Sequence, residues 1–481
     1  MQTKRDLLQA HRLMTHRASQ ALVLGEPDYP EQPLRKMNVG TFAGIMVGVL
    51  VAAVFGIIGL LVGGGSSGLE QKGVVLMEKE TGALYVWCTP KGAQKDVLCP
   101  VANYTSAKLA ASLAGGGSGG NSPEKKSVSA KSLSDFARGP MIGISGAPAS
   151  VPEAKRLVGG PWSVCVRQNP QGGTAASVVS LVGGRKVGGE ALDPSVGVVV
   201  STGANANWLI WKNQRMRLAP AGLTVLGASA PAAVSPGFVN ALPAGPDFAP
   251  PNIPGAGGTP QFAGAAGKIG QVFVVKGVGG GDQPYVLMAD GYAPISALQA
   301  ALIQNAASYR LPKDSPLDGA AVTTHRSAER VVDDRLPQTQ IKVRPYDAKE
   351  SLCVVYPDAA KGSGNATLTV GGGSDLPMPA QASGSGVDNV VLPPGSAVLA
   401  GVLPASGSVG AINTYALISD DGRRYSLKSA DTAKALGYSI TADDSTDAVP
   451  VPANLLNLVP QGPVLDPQRA LEPIQPASGG S

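Results

Sequence analysis

From Met37 to Leu69 the chain carries no charged residue, and Thr41 to Val62 (TFAGIMVGVLVAAVFGIIGLLV) is almost wholly apolar. At ~1.5 Å rise per residue, a helix over that stretch covers roughly the ~30 Å hydrocarbon core of a bilayer. A buried core helix of this length ordinarily keeps a polar face, and this one has none. A cleaved signal peptide has an apolar stretch of about 7–15 residues ahead of a small-residue cleavage site. Here the preceding region is too long and the apolar stretch too extended. The pattern predicts an uncleaved signal anchor.

The flanks predict its orientation. Arg35 and Lys36 abut the apolar run on its N-terminal side, with Lys4, Arg5, Arg12 and Arg17 further back. The other side opens with Gly63–Gly68 and then mixes signs (Glu70, Lys72, Glu78, Lys79, Glu80). Positive residues collect on the cytosolic side of a span, so the N-terminus is expected in the cytosol. Within that tail Leu7, Ala10, Met14, Ala18 and Ala21 recur at helical spacing, with Leu8 and Leu22 beside them. Such an amphipathic helix can lie on a membrane, dock on a partner, or simply face solvent. The expected divisions are a cytosolic tail over 1–38, a transmembrane helix over 39–63 and a linker over 64–72. An extracytoplasmic ectodomain over 73–459 and a Pro/Gly-rich C-terminal tail over 460–481 follow.

Gly and Pro make up about a fifth of the 481 residues, while aromatics and charges are sparse. That balance favours short strands and turns over long amphipathic helices. A net charge of +5 over this length is too dilute to argue for nucleic acid. All four cysteines, Cys88, Cys99, Cys165 and Cys353, follow the membrane segment, where disulfides form and persist. Four cysteines allow three pairings. Cys88 and Cys99 flank a TPKGAQKDVL loop between two strand-like runs, which favours a bridge across a hairpin. Cys165 and Cys353 would then join distant parts of the chain. A zinc site needs close Cys spacings or nearby His, and the chain has three His, of which His11 and His16 lie in the tail.

Internal repetition is visible beyond the anchor. Asp290–Gly291 separates YVLM from YAPI, and Asp421–Gly422 separates YALIS from RRYSL. Asp-Gly suits a two-residue hairpin turn, where φ > 0 is needed. Ser296 and Ser429 then stand where a helix cap is expected, before ALQAALIQ and ADTAKALG. An earlier version runs from LYVWC to VANYTSAKLAASL, with Ser106 in the capping place. Another is WLIWKNQRMRLA, Trp208 to Ala219, with Asn213 in the turn and a less clear helix. The expected fold class is α+β. It comprises one N-terminal transmembrane helix and an elongated ectodomain of four small strand–turn–strand–helix repeats around a disulfide-linked β-rich core. Gly115–Gly120, Pro243–Gly258 and Pro460–Ser481 read as low-complexity seams.

Five phrases in this order resemble the EccB family, the membrane component of actinobacterial type VII (ESX) secretion systems. They are GPMIGISGAPASVP (Gly139–Pro152), Trp162–Cys165, FVNALPAGPDFAPPNIPGAG (Phe238–Gly257), IGQVFVV (Ile269–Val275) and GPVLDP (Gly462–Pro467). Two features depart from the family pattern. Val354, Val355 and Tyr356 stand where tryptophans often follow the second core cysteine, and the Cys88/Cys99 loop is an addition to the first repeat. The resemblance implies a scaffold in the plasma membrane, its cytosolic helix docking with an EccC-like motor ATPase, EccD and EccE. It also implies ectodomains that associate with one another and cradle a mycosin protease.

The family is often labelled ATPase, but a P-loop needs G-x-x-x-x-G-K-[ST]. The one Gly-Lys pair, Gly267–Lys268, has Phe262 in place of the first glycine and Ile269 in place of the hydroxyl. Gly64–Gly68 and Gly116–Gly120 match G-x-S-x-G, but in glycine linkers rather than a strand-to-helix elbow. His325 is the one external histidine, and Asp443 and Asp444 sit without other cation ligands in a probable loop. No catalytic, metal or cofactor-binding residue is expected. A scaffold therefore stands against a membrane-anchored nucleotide hydrolase and, more distantly, an envelope-binding module.

Overall fold

The computed structural model describes residues 3–25, 33–62, 69–116, 122–169, 177–203, 206–228, 230–277, 281–309, 311–313, 315–347, 349–379, 382, 386–404, 412–441 and 446–474. The chain divides into two compact units, Met1–Leu69 and Glu70–Ser481. In the first, Lys4–Leu24 is a helix opened by a capping box, in which Thr3 and Asp6 satisfy each other's end, and closed by Gly25 in the left-handed region. Leu7, Leu8, Met14 and Leu22 on it are exposed. A second helix spans Pro33–Val62. It starts earlier than the expected residue 39, so Arg35 and Lys36 belong to its first turns. Its stretch Asn38–Ile57 is long and apolar enough to cross a membrane. The expected linker lies largely outside the described residues.

The second unit contains four small sheets of the same strand order, third–second–first–fourth, and one larger central sheet. In the first small sheet the strands are Val74–Glu78, Leu84–Cys88, Val97–Val101 and Glu124–Val128. The second has Val196–Ser201, Asn207–Trp211, Gln214–Arg217 and Ala232–Ala233, extended by Lys342–Arg344. The third has Val272–Val275, Gln283–Leu287, Tyr292–Pro294 and Ser315–Pro316; the fourth has Ala397–Leu403, Tyr415–Ser419, Arg424–Ser426 and Val449–Pro452. In each, three antiparallel strands lead into a helix, and the fourth strand returns parallel to the first. The hairpins read from the sequence are the second and third strands of these sheets.

Local chemistry accounts for the turns and caps. Ser296 accepts from the Gln299 amide in a capping box, and Ser429 accepts from the Thr432 amide. Ser106 does not cap its helix. Asn103 does, accepting from the Ser106 amide at 2.8 Å, because the helix begins at Tyr104, three residues before the expected start. In the second sheet Lys212 and Asn213 both adopt positive φ (46° and 61°), a two-residue hairpin turn made without glycine. Gly422 has φ +80°, but Gly291 is absent from the left-handed region. A Cβ at Gly291 would meet the His325 carbonyl at 2.5 Å, so close approach of another backbone, not the turn, requires glycine there.

The central sheet runs Asn389–Val391, Ser177–Gly183, Trp162–Gln168, Leu352–Tyr356, Thr367–Val370, Glu190–Ala191. Its strands come from the two segments that separate the small sheets in the sequence. Trp162, Val164, Val354 and Tyr356 are buried here with Val198 and Ile210 of the second sheet and Val398 and Ile418 of the fourth. Valine-rich strands buried on both faces explain the near-continuous apolar runs.

Two expected seams are packed structure. In Pro243–Gly258, Phe248 and Ile253 are buried. In the expected C-terminal tail, Leu465 and Ala470 are fully buried and Pro467–Ala470 is a short helix. Proline and glycine mark these stretches because they run as extended, close-fitting chain, not because they lack contacts.

Candidate functional site

An unprotected third strand would leave an open edge on every small sheet, a template for unwanted pairing. Each edge is instead covered by an irregular strap that follows the fourth strand and runs parallel to the third. In the first sheet the pairs are Leu98 with Arg138 and Val101 with Ile142. In the second they are Arg215 with Ala244 and Leu218 with Phe248, and in the fourth Arg424 with Gln461 and Leu427 with Leu465. The third sheet has the first of the two, Tyr292 with Arg326. Three of the straps therefore advance four residues for every three on the strand.

Three straps carry Gly-Pro at the same place: Gly139–Pro140, Gly245–Pro246 and Gly462–Pro463. The glycine is sterically required in two of them. A Cβ on Gly139 would sit 2.5 Å from the Cys99 sulfur, and one on Gly462 would sit 2.4 Å from the Tyr425 ring. The phrases GPMIG, AGPDF and GPVLDP are thus edge covers. The repeated Gly-Pro was a signal for them that hairpin reading passes over.

Helices and straps together tie the sheets in pairs. Lys108 of the first sheet's helix donates to the Leu436 carbonyl at the end of the fourth sheet's helix, at 2.7 Å. Burial holds its amine below the ordinary lysine range. Tyr438, after that helix, donates to the Pro152 carbonyl at 2.9 Å, and burial pushes its phenol up. In the other pair Tyr309, after the third sheet's helix, donates to the Pro251 carbonyl at 2.9 Å and accepts from the Ile253 amide. Leu298 and Leu302 of the third sheet's helix pack with Trp211 and Met216 of the second sheet.

The cysteines fall at the centre and at one corner. Cys165 and Cys353 are directly opposite on neighbouring central strands, joined by a disulfide, with Cα atoms 4.0 Å apart. Cys88 and Cys99 are joined diagonally across the hairpin of the first sheet, with Cα atoms 5.9 Å apart. Tyr356, facing Trp162, donates to the Ala241 carbonyl, and burial raises its phenol well above the ordinary range.

Two of the residues weighed for chemistry, Lys268 and His325, are engaged otherwise. Lys268 lies at a turn whose amide donates to the Gln271 side chain, and the chain then enters strand Val272–Val275. A phosphate cradle requires a helix to start there. The His325 ring stacks on Phe262 at 4.7 Å. Gly64–Gly68, most of Gly116–Gly120, and Asp443 and Asp444 lie outside the described residues. No group of three metal-ligating side chains occurs among the described residues. One cleft of about 550 Å³ lies between the straps of the second and third sheets, lined by Asp247, Ala249, Glu329, Val331, Arg335 and Leu336 among others.

Residues 1–474 match the family model described as type VII secretion system ESX-1, transport TM domain B. The protein named ESX-3 secretion system ATPase EccB3 of Mycolicibacterium smegmatis is 28% identical, over 96% of this chain and 88% of its own length. ESX-5 secretion system ATPase EccB5 of Mycobacterium tuberculosis is 25% identical, over 97% of this chain and 92% of its own. Among solved structures, a chain of an intact ESX-5 inner membrane complex is similar in fold, with TM-score 0.59, 23% identity, and coverage of 100% of this chain and 97% of that one. An EccB3 dimer from the ESX-3 core complex is 26% identical with TM-score 0.56, covering 83% of this chain and all of that one. A chain with a membrane-length helix followed by a disulfide-centred, strap-closed second unit, matched from residue 1 to residue 474, belongs to the type VII secretion transport TM domain B family, EccB.

Proposed function

We propose that this chain is a structural scaffold subunit of a type VII secretion complex in the plasma membrane, assembling the extracytoplasmic part of the machine. The observation that carries this reading is where the recognisable phrases sit. Gly139–Pro152, Phe238–Gly257 and Gly462–Pro467 form edge straps or the packing beside them, and Trp162–Cys165 fills the central sheet. Such positions build a rigid body rather than a reaction centre. The ectodomain is read as four copies of one unit around the bridged central sheet; the shared strand order and the strap pairs support that reading.

Arg35 and Lys36 support a cytosolic N-terminus, with the ectodomain, including residues 460–474, outside. The helix Lys4–Leu24 docks with an EccC-like motor, EccD and EccE, and the ectodomains associate as homo-oligomers beside a mycosin protease. These partners rest on the family, supported by the exposed apolar residues of that helix. Affinity purification of the full chain from membranes tests it. Copurification of an EccC-like motor that is lost on deleting residues 4–24 is expected; an intact chain that brings down no motor overturns the scaffold reading.

The relatives' names favour a second reading, a membrane-anchored ATPase. Phosphoryl transfer needs Mg²⁺ and a cradle of donors around the phosphates, whereas Lys268 lies at a turn ahead of strand Val272–Val275. Mg²⁺-dependent phosphate release by the motor-free protein that falls on Lys268→Ala would establish the enzyme.

A further inference from the structure

The two sheet pairs handle their straps differently. Between the first and fourth sheets the straps close on each other. The Gly143 amide donates to the Glu472 carbonyl, the Ile474 amide donates to the Met141 carbonyl, and Ile142 faces Pro473 in an antiparallel bridge. Matching the strand–strap pairs aligns Arg138 with Ala244 and Ile142 with Phe248, so Met141 and Gly143 correspond to Asp247 and Ala249. Matching Gln461 with Arg326 aligns Leu471 with Leu336. Leu471 and Leu336 each pack on the core of the partner sheet.

Beyond Leu336 the correspondence breaks. Instead of running along the second strap, the chain turns away to pair as Lys342–Arg344 with the second sheet's first strand. The Asp247 carbonyl and the Ala249 amide, counterparts of the groups that hold Glu472 and Ile474, have no hydrogen-bond partner among the described residues. The 550 Å³ cleft lies at this place. Met288, Val331 and Leu336 are the larger apolar residues of its mostly polar lining. At its rim Arg335 is paired with Asp333 and Arg330 with Asp334, while Asp247 and Glu329 make no ion pair among the described residues. The charge left over is negative.

We propose that this cleft takes an extended, cationic peptide segment of a partner protein, which pairs antiparallel with Asp247–Ala249 as Glu472–Ile474 pairs with Met141–Gly143. Strand addition supplies the affinity through main-chain bonds, and the flanking side chains supply the choice of partner. Asp247 and Glu329 select a lysine or arginine near the bonded residues. The inference rests on the four-unit reading, because the equivalence of the two pairs identifies the slot.

The test uses the full chain in detergent micelles and a fluorescent heptapeptide copied from residues 468–474 with the change Glu472→Lys (QRALKPI), followed by anisotropy. Saturable binding is expected, at least tenfold tighter than for the unchanged sequence. N-methylation of the peptide's isoleucine should weaken it at least tenfold, without touching the protein. The variant Asp247→Asn with Glu329→Gln should weaken it several-fold while its melting temperature is unchanged. No saturation, tighter binding of the unchanged peptide, or indifference to both N-methylation and the acid changes overturns the proposal. Ile474→Pro, which removes the amide bonded to Met141, tests the equivalence separately. Destabilisation with no peptide binding leaves the four-unit reading standing and removes the cleft's role. If Ile474→Pro has no effect on stability, the equivalence and the proposal both fall.

Discussion

The two disulfides work at opposite scales. Cys165 and Cys353 are 188 positions apart and join strands that the ladder from Trp162 to Val166 already pairs with Leu352 to Tyr356. Cys88 and Cys99 are 11 positions apart and brace one hairpin, beside an exposed loop that carries Lys91 and Lys95. The first bridge fixes which distant segments form the core; the second fixes only how one corner of the first sheet is held. In the chain-entropy account, a crosslink stabilises by restricting the unfolded chain, more for longer loops.

Removing the central bridge is the largest expected effect. Both sulfurs are buried, so Cys165→Ala with Cys353→Ala leaves little polar debris. The loss is expected at about 3–5 kcal/mol. Denaturant unfolding of the full chain in micelles, followed by tryptophan fluorescence with Trp87, Trp208 and Trp211 replaced by Phe so that buried Trp162 reports alone, measures it. A loss no greater than that for the corner bridge would break the comparison.

Cys88→Ala with Cys99→Ala is expected to cost less, about 2–3 kcal/mol at most. The change should be local: faster trypsin cleavage at Lys91 and Lys95, with the central sheet's unfolding unaltered. Spreading of the defect to the central sheet would show that the corner bridge supports the core.

Much of this architecture was legible in the sequence, and the illegible parts share a cause. The hairpins, the anchor and the Cys88/Cys99 pair announce themselves through local spacing, and the Cys165/Cys353 pair follows only as the two cysteines left over. The first and fourth strands of each small sheet do not. Ser315–Pro316 and Ala232–Ala233 are too short for any period to register, and Glu124–Val128 is polar along most of its length. Two of the straps, at 244–248 and 461–465, read as low complexity because Gly-Pro serves an extended segment as well as a linker. What distinguishes the two is a contact with a strand tens of residues away, which no window along the chain contains. Ser106 was misread for a related reason: its hydroxyl accepts from the Ile144 amide at 2.9 Å, a partner 38 residues downstream.

That hydroxyl gives the next prediction, a tie between sheet and strap made without a covalent bond. Ser106→Ala leaves a buried amide at Ile144 unpaired, which costs about 1–2 kcal/mol. Ser106→Thr keeps the oxygen but crowds a fully buried position, so Ser106→Cys is the better conservative control. Hydrogen exchange at the Ile144 amide should rise in the alanine variant before any other part of the first sheet opens. Exchange that rises uniformly would mean the strap and the sheet unfold as one.

The smallest expected effect concerns the third sheet, whose strap makes one bridged pair where the others make two. Asp290 supplements it: its carboxylate accepts from the Ser327 hydroxyl at 2.6 Å and from the Ala328 amide at 2.9 Å. The Ser327 hydrogen bond, with further help from the Ala328 amide and against partial burial, holds the carboxyl below the ordinary aspartate value of 3.8. A group whose pKa falls on folding stabilises the fold above its unfolded pKa, and that contribution disappears as pH falls through the lower folded value. The wild-type strap should therefore hold equally from pH 8 to 5 and loosen only below about 3.8. Asp290→Asn keeps the shape but cannot ionise, so its strap should exchange faster than wild type at pH 7 and match it once the wild-type carboxyl is protonated. The site is exposed and the difference will be small, which makes hydrogen exchange over residues 326–331 a better measure than global melting. A gap between the two proteins that persists undiminished at the lowest pH would show that packing around Asp290, and not its charge, holds the third strap in place.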